Sequence, residues 1–158
     1  MKNSIIKLVV SILICQTAGF TGSIFTQMSV NTWYQTINKP AFNPPNSIFP
    51  IVWTTLFILM GISLFLVWNE KFDDTEKKKA YYLFGLQLFV NVLWSLSFFG
   101  LRAPFLALIV LIGLWFLILL NITSFYKINK ISGYLLIPYI LWVSFAGVLN
   151  TYLWILNV

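Results

Sequence analysis

Five long apolar runs occupy most of this chain and restrict it to one kind of fold. They cover residues 5–26, 48–68, 80–99, 104–125 and 132–155. A run of roughly 20 apolar residues spans a bilayer as an α-helix, because lipid offers no hydrogen-bond partner to an open backbone. The sequence therefore predicts an all-α integral membrane protein, a single bundle of five transmembrane helices over residues 1–158 without a separate soluble domain.

The charged residues predict how this bundle lies in the membrane. Most cations would fall on one side, namely Lys2, Lys7, Lys71, Lys77, Lys78, Lys79, Lys127 and Lys130, whereas Lys39 and Arg102 would fall on the other. The positive-inside rule then places the N-terminus in the cytoplasm and the C-terminus outside. Because the net charge of +6 follows from this topology, we expect the lipid bilayer and no nucleic acid as a partner.

The first apolar run has an alternative interpretation as a cleaved signal peptide. Lys2 and Lys7 lie at its start, and small residues stand at 17–19 within it. The apolar stretch nevertheless continues to Phe25, which is long enough to span. We therefore expect it to be the first membrane helix.

The composition excludes several kinds of chemistry. The chain has no histidine and one cysteine, and its four carboxylates all lie in the gap after residue 68. A histidine-ligated metal, a serine–histidine pair and a paired-carboxylate site are thereby excluded. We expect no metal and no permanently bound cofactor, so that any chemistry would come from a bound ligand or from aromatic side chains.

Polar and small residues recur at helical spacing within two of the runs. The first run carries Cys15, Ala18, Gly19, Gly22, Ser23 and Thr26. This stripe indicates either close helix packing or space for a ligand. The third run places Gln87, Asn91, Trp94, Ser95 and Phe98 on one face. Amides are unfavourable facing lipid, so Asn91 should point inward, either to bond another helix or to bind a ligand.

The fifth run and the first long loop are also unusual. Pro138 should kink the fifth helix, and Tyr139, Trp142, Ala146 and Leu149 or Asn150 follow it on one face. The segment 31–47 contains three prolines and three aromatic residues. Such a stiff loop predicts a lid over a pocket, with Trp33, Tyr34, Pro44 and Pro45 as its candidate residues.

At these residues the chain resembles the tryptophan-rich sensory protein family, also called translocator protein or peripheral-type benzodiazepine receptor. The matching motifs are W-Y at 33–34, K-P-x-F-x-P-P at 39–45, V-W-x-x-L-F-x-x-M-G at 52–61, Q-x-x-x-N-x-x-W-S-x-x-F-F at 87–99 and P-Y-x-x-W-x-x-F-A-x-x-L-N at 138–150. They follow the family order across nearly the whole chain. There are departures at Ser47, Pro50, Ile51 and Phe57, where the family usually has other residues.

The resemblance implies a five-helix bundle, usually a homodimer, with a ligand pocket open toward the first loop. The residues that match the family's pocket positions are Trp53, Asn91, Trp94, Trp142, Ala146 and Leu149. Phe98 is expected to line the same pocket. The family binds tetrapyrroles such as protoporphyrin IX and drug-like isoquinolines and benzodiazepines. Several members are reported to promote light-dependent breakdown of the porphyrin, with tryptophans at positions 53 and 142 in the catalytic role. A short chain of this topology is expected to be a bacterial member in the plasma membrane.

The residues themselves describe a neutral pocket with aromatic walls and one or two amides, which suits a flat, largely apolar ring. The leading hypothesis is a protein that binds protoporphyrin IX as ligand and substrate and promotes its photo-oxidation. The alternatives are a transporter of tetrapyrroles and a ligand-dependent signalling or scaffold protein. The absence of an internal repeat and of intramembrane charge for ion coupling disfavours the transporter.

Overall fold

The computed structural model describes residues 2–158, with the backbone alone for Lys2, and within that range it is helical with no strand. The helices are α1 (Lys2–Ser29), α2 (Trp33–Thr36), α3 (Ile48–Asn69), α4 (Asp74–Ser95), α5 (Pro104–Ile128), α6 (Lys130–Leu135) and α7 (Ile137–Ile155). A π-helical turn, Leu96–Gly100, continues α4. Five spans are long and apolar enough to cross a membrane, with α6 and α7 together forming the fifth. The all-α five-helix prediction is confirmed.

One helix begins well before the residue expected. α4 begins at Asp74 rather than at residue 80, because Asp73 caps it: the Asp73 carboxylate accepts a hydrogen bond from the Glu76 backbone N–H at 2.9 Å. Asp74 and Glu76 then lie in the first turn, where carboxylates interact favourably with the helix dipole. Much of the charged gap is therefore helix rather than loop.

Pro138 interrupts the fifth span as predicted. Proline has no backbone N–H to donate to the carbonyl of Tyr134, so the helix breaks at Leu136 and restarts as α7. Leu136 itself is fully packed, with 1% of its surface exposed. Tyr139 and Trp142 then lie in the first two turns of α7.

The helices form a closed ring in which α1 contacts α3 and α4, and α5 contacts α4, α6 and α7. Small residues allow the closest approaches: a Cβ on Gly61 would lie 2.6 Å from the Cα of Ile12, so only glycine fits between α3 and α1. Ser63 of α3 donates a hydrogen bond to the carbonyl of Ser132 in α6 at 2.8 Å. These contacts close the ring at the end of the bundle that carries the N-terminus.

The opposite end carries residues 30–47 and the C-terminus, and we call it the loop end. There the backbone N–H of Asn38 donates to the side-chain oxygen of Asn157 at 2.8 Å, and the Asn157 amide donates back to the Asn38 carbonyl at 2.9 Å. This pair fastens the long loop to the end of the chain. The helices below it diverge and leave a cavity.

Candidate functional site

The cavity at the loop end has a volume of about 810 Å³. It lies between the loop-end halves of α1, α3, α4 and α7, and residues 31, 34, 46 and 47 of the long loop border its mouth. A volume of this size is within the range of ~300–1,000 Å³ typical of small-molecule sites. All seven residues expected to bind a ligand lie on its wall: Trp53, Asn91, Trp94, Phe98, Trp142, Ala146 and Leu149. Their role in binding stays a prediction.

Trp53 of α3 lies at the centre of the aromatic wall. Its ring centroid is 5.8 Å from that of Phe57, 6.1 Å from that of Trp94 and 6.2 Å from that of Tyr139. Aromatic pairs at these separations stabilise one another beyond the area they bury. Trp53 is therefore held as part of a rigid surface that a flat ring can stack on.

Asn91 of α4 lies at the deep end of the cavity and is 4% exposed. Its Nδ2 donates a hydrogen bond to the Oη of Tyr139 in α7 at 2.9 Å. The sequence left open whether Asn91 bonds a helix or a ligand, and the structure shows the interhelical bond. Its Oδ1 accepts no hydrogen bond from residues 2–158, so an acceptor remains at the cavity wall.

Trp94 is oriented by a second intramembrane amide. The Trp94 Nε1 donates to the Oδ1 of Asn150 at 3.2 Å, and the Asn150 Nδ2 donates to the carbonyl of Pro104 at 2.7 Å. Asn150 thus links α4, α5 and α7 at the wall of the cavity. Phe98 stacks on Trp94 with 5.8 Å between ring centroids. Asn150 was predicted to lie near this face but not to be a site residue, although its position within an apolar run was the available signal.

Trp142 of α7 forms the side of the cavity, opposite α1. Its ring contacts Phe49 of α3 at 6.1 Å and Phe145 at 5.4 Å between centroids. Its Nε1 is buried and has no hydrogen-bond partner among residues 2–158. Ala146 and Leu149 continue the same face of α7 toward the loop end, so the α7 wall is aromatic below and aliphatic above.

The small residues of α1 serve both of the purposes that the sequence left open. Cys15 is fully buried in the core and Ala18 packs against it. Gly19, Gly22, Ser23 and Thr26 instead line the cavity. A side chain on Gly19 would lie 2.5 Å from the ring of Phe57, so glycine is needed there for the two helices to approach. The first residues of the stripe therefore pack in the core, and the later ones line the cavity.

The predicted lid residues divide into two groups. Tyr34 is 3% exposed and lines the cavity, and its Oη donates to the Oδ1 of Asn43 at 2.8 Å. Burial raises the pKa of Tyr34, and the Asn43 hydrogen bond opposes that shift. Trp33 packs behind the wall, with its ring 5.7 Å from that of Phe98. Pro44 and Pro45 do not line the cavity; the neighbouring residues 46 and 47 do.

The wall of the cavity is electrically neutral. Its lining residues include no aspartate, glutamate, lysine or arginine, and its polar groups are amides, hydroxyls and indole N–H groups. Lys39 stays outside, with its Nζ 4.9 Å from the ring centroid of Tyr34. Within residues 2–158, no group of three or more histidine, cysteine or carboxylate side chains is placed to hold a metal ion. These features define a five-span membrane protein with a neutral, aromatic cavity at one end of its bundle.

Comparisons with known proteins agree with this description. The chain belongs to the TspO/MBR family, whose model matches residues 11–155. It is 41% identical over 150 residues to a "Tryptophan-rich protein TspO" of Chlorobaculum tepidum, covering 95% of both chains. It is 44% identical over 154 residues to a protein of the same name from Archaeoglobus fulgidus, covering 98% of this chain and 99% of the other. It is also 34% identical over 138 residues to the human "Translocator protein", covering 85% of this chain and 80% of the other.

Proposed function

We propose that this protein binds a tetrapyrrole such as protoporphyrin IX in the cavity and promotes its light-dependent oxidative breakdown. The observation that carries the proposal is the cavity itself, about 810 Å³ in volume, with Trp53, Trp94 and Trp142 in its wall and no charged side chain. Flat, largely apolar rings are retained in such sites by stacking and burial. Isoquinoline and benzodiazepine-type drugs are aromatic ring systems of the same kind and belong to the same proposal.

A metal-free porphyrin suits the cavity better than haem. The lining residues include no histidine, cysteine or methionine to act as an axial ligand. The Oδ1 of Asn91 offers an acceptor at the deep end, and the Asn150 and Ser95 side chains also border the cavity. A few polar groups of this kind orient a ligand without the desolvation penalty of a buried charge.

The chemistry would draw on the ligand and on dioxygen. The porphyrin absorbs light, and addition of both atoms of O₂ across one carbon–carbon double bond of the ring gives two carbonyl groups, so the reaction balances without an outside reductant. Indole side chains can donate an electron to the excited ring and receive it back. Trp53 and Trp142 are assigned this relay role, since both border the ligand space and Trp53 also contacts Trp94 and Tyr139.

Binding is favoured over transport because the sequence has neither an internal repeat nor intramembrane charge for ion coupling. The lining residues lie only in the loop-end halves of the helices, reaching Gln16 in α1, Phe57 in α3 and Asn91 in α4. Beyond them Met60, Gln87 and Tyr139 are packed, each 1% exposed or less. The cavity is thus a pocket that ends at a floor inside the bundle.

The remaining parts of the proposal concern the cellular setting. We place the protein in the plasma membrane with its N-terminus in the cytoplasm, which puts the cavity mouth on the outer side. We also propose a homodimer. Apolar faces of α1 and α5 that point away from the bundle, such as Leu13 at 57% exposed and Phe116 at 57% exposed, are available either to lipid or to a second copy.

Illumination of the purified protein with protoporphyrin IX tests the proposal. Under oxygen, the protein should produce a new absorbing species, rather than simple bleaching, faster than porphyrin in empty detergent micelles. Under argon the product should be absent, because O₂ is consumed in the reaction. Equal rates with the protein and with empty micelles would contradict the catalytic part of the proposal, and dark binding would then be measured separately.

A further inference from the structure

The contact that closes the ring of helices beside α3 differs between the two ends of the bundle. At the end that carries the N-terminus, α3 packs against α6, whereas toward the loop end α3 and α7 approach each other mainly through side chains. Two aromatic pairs bridge the gap: Trp53 with Tyr139 at 6.2 Å and Phe49 with Trp142 at 6.1 Å between ring centroids. The wall of the cavity is therefore one side chain thick here.

A second depression lies on the outer surface of this wall. It is an apolar groove of about 510 Å³ between α3 and α7, lined by Ile51, Val52, Thr55, Leu56, Leu59, Pro138, Leu141, Trp142 and Phe145. Trp142 is the residue that lines both this groove and the inner cavity. Because α3 and α7 are membrane spans, the groove faces the bilayer, and the indole of Trp142 separates lipid from the ligand space.

The two aromatic pairs are not fixed to the same degree. Tyr139 is 1% exposed and its Oη accepts the hydrogen bond from Asn91. Trp142 is only half-buried, and its Nε1 has no hydrogen-bond partner among residues 2–158. A rotation of its indole into the groove would therefore break no hydrogen bond of that ring, whereas Tyr139 is held in place.

We propose that Trp142 is a gate between the bilayer and the cavity, and that apolar, membrane-dissolved ligands enter and leave between α3 and α7. The inference rests on the proposed function in that it concerns the ligand of the same cavity. It adds a route and a ligand property: the molecule is taken from the hydrocarbon phase rather than from water. Trp142 then has two roles, as the movable wall and as a contact of the bound ring.

The other sides of the cavity carry hydrogen bonds or close backbone contacts. At the mouth, the long loop is fastened by the paired hydrogen bonds of Asn38 and Asn157. Between α1 and α3, backbone and rings are in direct contact at Gly61 and Gly19, and the Gln16 amide donates to the carbonyl of Thr54 at 3.2 Å. Between α3 and α7, by contrast, no side-chain hydrogen bond forms among residues 2–158, and the two aromatic pairs span the gap.

A bulky residue placed in the groove tests the gate without altering the cavity. Thr55 is exposed, lines the groove, and bonds only back to the carbonyl of Ile51 at 2.9 Å. In nanodiscs, Thr55→Trp should lower both the association and dissociation rates of protoporphyrin IX by about tenfold, with an unchanged Kd, because a gate alters rates and not the bound state. The control Ile112→Trp, on the lipid-facing side of α5 and 50% exposed, should leave both rates unchanged.

A chemical probe makes the test independent of porphyrin binding. In a Cys15→Ala background, Ala146→Cys places a thiol on the cavity wall for a maleimide with an apolar tail dissolved in the bilayer. Labelling should be slowed by Thr55→Trp and unaffected when Asn38→Cys and Asn157→Cys are crosslinked to lock the loop. Slowing by the loop crosslink, with no effect of Thr55→Trp on labelling or on porphyrin rates, would overturn the gate and assign passage to the mouth. A failure of porphyrin to bind the unmodified chain would instead count against the proposed function, since the labelling rates still report on the gate.

Discussion

Asn91 donates a hydrogen bond to the hydroxyl of Tyr139 at 2.9 Å, and this bond ties α4 to α7 at the floor of the cavity. Both side chains are almost fully buried, at 4% and 1% exposed. The bond fixes the spacing of two cavity walls, while the carbonyl oxygen of the same amide remains on the cavity side. Asn91 therefore has two roles: it stabilises the contact between α4 and α7, and it presents an acceptor to the cavity.

Two substitutions separate these roles of Asn91. Tyr139→Phe removes the interhelical bond and leaves the amide, so thermal stability in detergent should fall while porphyrin affinity changes little. Asn91→Leu removes both, so stability should fall by a similar amount, about 1 kcal/mol, and affinity for a carbonyl-bearing drug should fall severalfold as well. Equal affinity losses in the two variants would show that Asn91 acts on the ligand only through the helix spacing.

Asn150 should be a positioning residue for Trp94. Asn150→Leu removes the acceptor for the Trp94 indole and the donor to the Pro104 carbonyl, so stability should fall by ~1–3 kcal/mol. Porphyrin affinity should fall with it, because Trp94 loses its fixed orientation. The matched control is Asn121→Leu, which removes a buried amide bonded to the carbonyl of Leu83 at 3.1 Å, away from the cavity. Asn121→Leu should destabilise the protein without lowering the affinity of the folded fraction.

Dark binding and light chemistry should separate at Trp142. Trp142→Phe keeps an aromatic wall, so the Kd for protoporphyrin IX in the dark should change by less than about threefold, since much of the stacking surface remains. Photoproduct formation should slow by a much larger factor, because phenylalanine is a far poorer electron donor than tryptophan. Trp115→Phe is the control, since the Trp115 indole bonds to Ser144 on the exposed side of the bundle. Equal losses of binding and turnover in Trp142→Phe would show that Trp142 only contacts the ligand and has no relay role.

The loop should lose stability at high pH through Tyr34. Burial raises the pKa of Tyr34 above its value in the unfolded chain, so the neutral phenol is favoured by folding. This contribution is complete below the unfolded pKa of about 10 and is lost as the pH rises through the folded pKa. Protease cleavage within residues 35–46 should therefore accelerate above about pH 10, and the acceleration should be smaller in Tyr34→Phe. A pH dependence identical in the two proteins would contradict the assignment.

The parts of this structure that were predictable from sequence are those set by local pattern. Apolar length predicts the five spans, Pro138 predicts the break before α7, and the spacing of Asn91, Trp94 and Phe98 places them on one inward face. Assignment of that face to a shared pocket came from the family resemblance, because spacing within one helix carries no information on which helices meet.

The features that the sequence did not predict depend on distant or irregular contacts. The hydrogen bonds between Asn38 and Asn157 join residues 119 positions apart, and neither amide differs from an ordinary loop residue in the sequence. The π-helical turn, in which the Leu101 N–H donates to the Leu96 carbonyl at 2.7 Å, sets the directions of Phe98 and Phe99 without a sequence signal. The groove outside Trp142 results from the divergence of α3 and α7, which no local pattern encodes.

A bulky side chain placed on one wall of the cavity tests whether this cavity is the porphyrin site. Ser23 lines the cavity on α1 and Thr17 faces outward on the same helix, and each hydroxyl bonds only to a carbonyl of its own helix, at 2.7 and 2.8 Å. Dark binding of protoporphyrin IX would be titrated in nanodiscs for Ser23→Trp and Thr17→Trp, with folding verified by thermal unfolding. We expect at least about tenfold weaker binding in Ser23→Trp, because the added indole occupies the ligand space, and unchanged binding in Thr17→Trp. Equal affinity in the two folded variants would contradict the assignment of the cavity as the porphyrin site.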